Sequence, residues 1–208
     1  KNQCEIKGSD CCHLKSGKRI GAVVPMHTFG HPVEIDRMVE ICARYNVPLV
    51  EDAAESIGSK YKNQHTGTFG LLGAFSFNGN KTITCGGGGV IITNDKQLAK
   101  LGKHLTTQAK IPHPWDFVHD HIGYNYRLPN LNAALACAQL EQLYPFILNK
   151  RKLANEYKND FDKLGVKFRS ELPNTKANYW LMCIELENRK DRDSFLKETN
   201  ASQIMTRP

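Results

Sequence analysis

Phe75 to Gly89 reads FSFNGNKTITCGGGG, and this stretch decides how the rest of the chain is understood. Ala74 to Phe77 has the apolar and aromatic start of a strand, a tight polar turn carries Lys81, and four consecutive glycines follow, Gly86 to Gly89. Val90 to Thr93 then restarts a β-branched strand. Glycines let backbone approach a ligand closely. A lysine in that setting is partly desolvated, which makes its neutral amine a nucleophile toward carbonyls. The plainer alternative is a solvated lysine beside a flexible linker. A phosphate-cradling P-loop, G-x-x-x-x-G-K-[ST], fails on spacing, because Asn80 separates Gly79 from Lys81.

A lysine that forms a Schiff base with pyridoxal phosphate needs a partner acid to keep the pyridine nitrogen protonated. One lies upstream. Ile20 to Pro25 (IGAVVP) reads as a short buried strand that delivers His27 just past its carboxyl end. From Val33 to Tyr45, Ile35, Met38, Val39 and Cys42 fall at helical spacing. Val47 to Val50 is the next strand and runs into Glu51-Asp52. Strand, helix, strand is a βαβ unit, which predicts a parallel sheet with a right-handed crossover. Ligands gather outside the carboxyl ends of such strands, where Asp52 and His27 both fall. An acid at a strand end also caps helices, so Asp52 gains its weight from Lys81 at the end of a later strand.

The chain has 208 residues, 40% hydrophobic and 24% charged, as an ordinary globular protein does. No apolar run approaches the ~20 residues that cross a bilayer, and the polar start is no signal peptide, so the expected compartment is the cytoplasm, with no membrane partner. The net charge of +7 suits an anionic partner. Its lysines and arginines are spread along the chain without a nucleic-acid motif, so a phosphorylated small molecule is expected and nucleic acid is not. Seven cysteines without a C-x-x-C pair read as reduced thiols.

Downstream, Asn94 or Asp95 caps a helix running to about His104. Thr106 to Pro129 is irregular and holds His113, His119 and His121, whose spacing matches no metal motif, so no metal site is expected. A loop of that length is usually a lid or a partner contact. Asn130 to Leu143 is a helix, Pro145 interrupts, and a second helix runs to about Leu164, where Gly165 stops it. Trp180 to Leu186 reads as a strand and Asp191 to Asn200 as a helix.

Three segments in this order, EDAAES, FSFNGNKTITCGGGGVI and GYNYRLPNLNAALACAQLEQL, resemble the pyridoxal-phosphate-dependent sugar aminotransferases of the DegT/DnrJ/StrS family, fold type I. PMHTFGHP fits as well, and TFGLLGAFSFNGNK with HLTTQAKIPHPWDFVHDHIGYNYRLPN is most similar to the LegC-like branch. The resemblance implies an α/β fold: a partial large domain over 1–144, with a mainly parallel sheet, and a connecting helix with the start of a small domain over 145–208. It implies that Lys81 is the covalent anchor and proton carrier, that Asp52 pairs with the pyridinium nitrogen, and that Ser76 binds the cofactor phosphate. Asn125 would reach the phosphate of a neighbouring subunit, which makes a homodimer with a shared active site the catalytic unit. Glu55 stands where the family commonly has Gln or His against the cofactor, and would put a second carboxylate near the ring hydroxyl.

The implied reaction aminates a nucleotide-linked keto-deoxy sugar with glutamate as donor. The implied acceptor carbon is C4 of a UDP-4-keto-6-deoxy-N-acetylhexosamine, for surface polysaccharide or nonulosonate biosynthesis. Related dehydratases carry histidine in place of the anchoring lysine, so Lys81 disfavours that chemistry; a non-catalytic remnant that dimerises or binds nucleotide sugar is the other alternative. Members of the family are longer at both ends, so a fragment that binds the cofactor weakly by itself is expected.

Overall fold

The computed structural model describes residues 3–208. It opens with an antiparallel hairpin, β1 (Cys4–Lys7) against β2 (Asp10–His13), with Cys4 opposite His13. Both strands are short and carry little apolar surface, which is why this polar start shows no periodicity.

The expected βαβ unit follows. The 20–26 segment, α1 (Ile35–Arg44) and β3 (Val50–Asp52) form it. Residues 23–27 run parallel to β3 through Val50 N to Val23 O at 3.0 Å, Asp52 N to Pro25 O at 2.9 Å and His27 N to Asp52 O at 3.1 Å. The regular strand expected over Ile20–Pro25 is instead carried by two isolated bridges, Val23 to Leu49 and Met26 to Asp52. Pro25 has no N–H to give Val50, so the ladder breaks in its middle. The second strand lies toward the carboxyl side of its expected place and takes in Glu51 and Asp52. An apolar run stops at a charge when read along the sequence; the sheet does not. The predicted face of α1 packs Ile35, Met38, Val39 and Cys42 with Leu49, Val23, Tyr61 and Phe69.

Next come the two-residue strands β4 (Lys60–Tyr61) and β5 (Gln64–His65), then β6 (Leu72–Ser76) and β7 (Gly89–Ile92). The polar and glycine-rich composition of 61–70 suggests a loop, yet a hairpin forms there. It turns through Lys62 and Asn63, at φ 46° and 65°, the two left-handed positions of a type I′ turn. β6 pairs parallel with β3, Asp52 opposite Ala74, and β7 returns antiparallel on β6, Ser76 opposite Gly89. The sheet is therefore mixed: a parallel return needs a crossover of a dozen or more residues packed on the sheet, and the lysine turn makes none.

Then α2 (Lys96–Thr106) is capped by Asp95, whose carboxylate accepts from Gln97 N and Leu98 N at 2.8 and 3.0 Å. Residues 107–129 form no regular element and fold back through bridges from Thr107 to Asn125 and from Lys110 to His119. α3 (Asn130–Glu141) and α4 (Leu143–Lys163) break at Gln142, which leaves Pro145 in the first turn of α4, where its missing N–H costs nothing. Gly165, at φ 68°, ends that helix as expected. The remaining elements are β8 (Lys167–Phe168), β9 (Thr175–Lys176), β10 (Ile184–Glu185) and α5 (Arg189–Ala201).

The strand expected over Trp180–Leu186 is reduced to β10, paired with β8. Trp180 is buried outside any sheet, because residues 178–180 turn in against the Lys81 turn. β9 pairs with β4, Lys60 opposite Lys176, and so brings that segment to the first half of the chain. Phe168, Ala177, Tyr179 and Ala154 make a third apolar cluster beside those of α1 and of Phe77, Ile83, Cys85 and Ala136.

Two buried features here are testable. Gly30 sits at φ 90°, and a Cβ there would fall 1.8 Å from Asn178 Oδ1. Gly30→Ala should therefore cost about 2 kcal/mol or more, read as a drop in Tm, while Gly17→Ala at an open surface turn should cost less. His31 is buried with both ring nitrogens unpartnered, edge-on to Tyr179 at 5.1 Å. Burial, then the charge of Arg169, holds its pKa below the ordinary 6.5, with Glu171 opposing. The unfolded chain then takes up a proton that the folded chain refuses, so stability falls as pH drops through about 6.5, at about 1.4 kcal/mol per unit of depression. His31→Phe should flatten Tm against pH between about pH 7.5 and 5.5; His65, held below 6.5 by partial desolvation and by the charge of Lys60, keeps part of the slope.

Candidate active site

The turn after β6 is built around its glycines at two places. Gly88, at φ 117°, adopts a backbone that side chains avoid, and a Cβ on Gly89 would lie 2.5 Å from Phe75 O. Part of the glycine run thus serves to fold β7 back onto β6. The same turn carries Lys81, whose backbone N–H donates to Asn78 O at 3.0 Å.

The Lys81 side chain is turned inward, 12% exposed, with Nζ 3.5 Å from Glu55 Oε1. It lies 3.9 Å from the centre of the Trp180 ring. The other oxygen of Glu55 accepts from Phe29 N at 2.7 Å and so holds a non-glycine residue at φ 57°. Glu55, expected near a cofactor ring hydroxyl, here pins a strained turn with one oxygen and faces the lysine with the other.

Strand alternation separates the neighbouring acids Glu51 and Asp52. Glu51 has no exposed surface. It accepts from Gly67 N at 2.7 Å, Phe69 N at 2.6 Å, Gly70 N at 2.7 Å and His27 Nε2 at 3.0 Å. His27 Nδ1 accepts from Val33 N at 3.2 Å, so its proton sits on Nε2. Burial pushes the Glu51 carboxyl upward, but His27 and the three backbone donors outweigh it and hold the pKa below its ordinary value. His27, expected at the ligand edge, is instead a buried partner of Glu51.

Asp52 points the other way and is half-buried. One of its oxygens accepts from Ala54 N at 3.1 Å; the other has no hydrogen-bond partner among the described residues. Asp52 is opposite Ala74, and Ser76 lies two residues further along β6, so Asp52 and Ser76 share one face of the sheet at its carboxyl edge. Ser76 Oγ accepts from Asn78 N at 3.3 Å and keeps its own proton to donate. A carboxylate with a free oxygen, an inward-held amine and a donating hydroxyl are the groups that a protonated ring nitrogen, a carbonyl carbon and a phosphate require.

Asn125 is not in this group. It is exposed and accepts from Arg127 Nη1 at 3.0 Å, in the loop that follows α2. In that loop His119 Nδ1 pairs with Gln108 O at 2.7 Å, and His113 Nδ1 accepts from Asp116 N at 2.8 Å. His104 and His121 both bond Asp120, at 2.6 and 3.1 Å, and hold its pKa down to about 2. The ligand atoms of these three residues lie within 4.8 Å of one another, and their mutual hydrogen bonds account for the arrangement.

Sequence reading missed Asn178 and Trp180. Asn178 is fully buried, and its Nδ2 donates to Glu55 O and Ile57 O, both at 2.9 Å. Its Oδ1 accepts from Trp180 N at 2.8 Å, and Trp180 Nε1 donates to Asn80 O at 2.6 Å. No periodicity marks either residue, because their partners are about a hundred positions away.

Known proteins resemble this chain in sequence and in fold. GDP-perosamine synthase of Escherichia coli O157:H7 is 40% identical over 187 residues, which is 90% of this chain and 51% of that relative. UDP-4-amino-4,6-dideoxy-N-acetyl-beta-L-altrosamine transaminase of Campylobacter jejuni is 32% identical over 151 residues, 72% of this chain and 40% of that relative. A solved DegT DnrJ EryC1 StrS aminotransferase from Brucella abortus superposes with a TM-score of 0.77 at 30% identity, covering 86% of this chain and 48% of the other. The chain spans about half the length of the curated relatives it matches. The profile of the DegT/DnrJ/EryC1/StrS aminotransferases matches residues 15–208, and the chain belongs to that family of fold type I, pyridoxal-phosphate-dependent sugar aminotransferases.

Proposed function

We propose that the protein transfers an amino group from glutamate to the C4 keto carbon of a 6-deoxy sugar carried on a nucleoside diphosphate, with pyridoxal phosphate as cofactor. The observation that carries this reading is the inward-held Lys81 at the sheet edge where Asp52 and Ser76 share a face. When bound, the cofactor supplies an electron sink for the carbanion at the carbon that gains or loses the amine.

The chain's own residues have distinct tasks in this scheme. Lys81 is the covalent anchor and carries the proton. The free oxygen of Asp52 accepts from the ring N–H and keeps that nitrogen charged. Ser76 would donate to the phosphate, and Asn125 of a second copy would add another donor, which makes a homodimer the working unit. Glu55 orients the Lys81 amine and fixes Phe29 beside it. Residues 1–144 form the cofactor-binding part, and 145–208 lead into a smaller domain. The C4 position is supported by the 4-amino-4,6-dideoxy product in one relative's name. Names with both GDP and UDP give uridine no preference over guanosine. No helix among the described residues is long and apolar enough to cross a membrane, in keeping with action on a water-soluble sugar nucleotide.

Borohydride reduction of the protein with its cofactor should place the label on Lys81; label on Lys60, Lys62 or Lys110 would refute the anchor. Lys81→Ala should lower turnover about 10³-fold or more, since nucleophile and proton carrier go together. Asp52→Asn keeps the shape but removes the charge, so kcat should fall about 10²-fold with Tm almost unchanged; full activity would return Asp52 to the role of a turn cap.

A further inference from the structure

Lys81 ends in a long flexible side chain with several rotatable bonds, yet its ammonium is held in one place. Two partners hold it: Glu55 Oε1 at 3.5 Å and the face of Trp180 at 3.9 Å. Trp180 itself is 8% exposed and bonded at both ends, through its backbone N–H to Asn178 Oδ1 and through its indole N–H to Asn80 O. Asn80 is the residue before Lys81, so the ring that receives the amine also grips the turn that carries it. Phe29, held by Glu55, packs near the same indole with ring centres 6.3 Å apart.

We propose that Trp180 is a positioning residue for Lys81: its ring seats the free ammonium and its indole N–H locks the turn, so the amine stays in reach whenever it is not covalently engaged. This role rests on the proposed transamination for its purpose, because one half of such a reaction frees the lysine and the other takes it up again. The physical basis does not rest on it. A cation over the most electron-rich aromatic face is stabilised within about 6 Å, and more strongly where water is excluded. The lysine turn and residues 178–180 meet only in the folded chain, so the seat forms only when the two halves of the sequence dock.

The test reads the free amine in the cofactor-free protein. Trace acetylation followed by mass spectrometry compares the labelling rate of Lys81 with those of Lys60 and Lys62. Trp180→Leu should raise Lys81 labelling about tenfold with the reference lysines unchanged, and Trp180→Phe, which keeps a π face, should restore much of the protection. Lys81 labelling that is unchanged in Trp180→Leu, or that rises in step with every lysine, overturns the proposal. A second measurement leaves Trp180 in place. The chain has two tryptophans, so Trp115→Phe leaves Trp180 as the sole one, read with excitation that spares tyrosine. In that background Lys81→Met should shift the Trp180 emission and Lys60→Met should not; equal spectra also overturn it. Neither readout requires Lys81 to be the covalent anchor, which the borohydride experiment judges separately.

Discussion

A carboxylate without exposed surface must be met by donors on every side, and Glu51 is. Four N–H groups converge on it, three of them from the backbone of residues 67–70 and one from His27. Much of the molecule depends on that convergence. It fixes the loop ahead of β6, ties the segment before α1 to β3, and commits Glu51 to the interior. Since neighbouring residues of a strand face opposite ways, Asp52 must then lie on the other face of the sheet, at the carboxyl end of β3. The choice between two adjacent acids is made by which of them the interior can satisfy.

The candidate site is assembled from segments far apart in the chain. Residues 28–31, 55–59, 80–82 and 178–180 meet around Asn178, whose buried amide bonds to Glu55 O, Ile57 O and Thr82 Oγ1 and accepts from Trp180 N. Its backbone N–H adds Ser59 Oγ, and that hydroxyl in turn donates to Gly30 O at 2.7 Å. Gly30 has no Cβ because Asn178 occupies the space. A buried amide with both donor hydrogens and its oxygen engaged is stiff. Here it joins the turn that carries the lysine to the turn that carries Phe29 and to the turn after β3 that carries Glu55. The lysine is placed by this frame more than by the glycines beside it in sequence.

The strongest signals along the chain act over a few residues. Ile35, Met38, Val39 and Cys42 repeat at helical spacing and lie on one packed face. Asp95 caps α2 because its side chain reaches N–H groups two and three residues on, and Gly165 ends α4 because it tolerates a left-handed backbone. The order of strand, lysine turn, glycine run and strand needs only local chemistry to be seen. The family motifs are likewise short runs of residues, and Lys81, Asp52, Ser76, Glu55 and Asn125 all lie within them.

What the sequence determined by itself, then, is the βαβ unit, the packed face of α1, the places where the helices begin and end, and the presence of an amine and an acid near one sheet edge. Tertiary structure decided which of the two acids is buried, that β7 returns antiparallel, that β9 pairs with β4, and that Trp180 leaves its expected strand to lie on Lys81. Periodicity, caps and turns are short-range effects, written within one or two turns of chain. Trp180 and Asn80 stand 100 positions apart, and Asn178 and Glu55 stand 123 apart. A bond across that separation leaves no pattern in either neighbourhood, because it exists only once packing has excluded water from both partners.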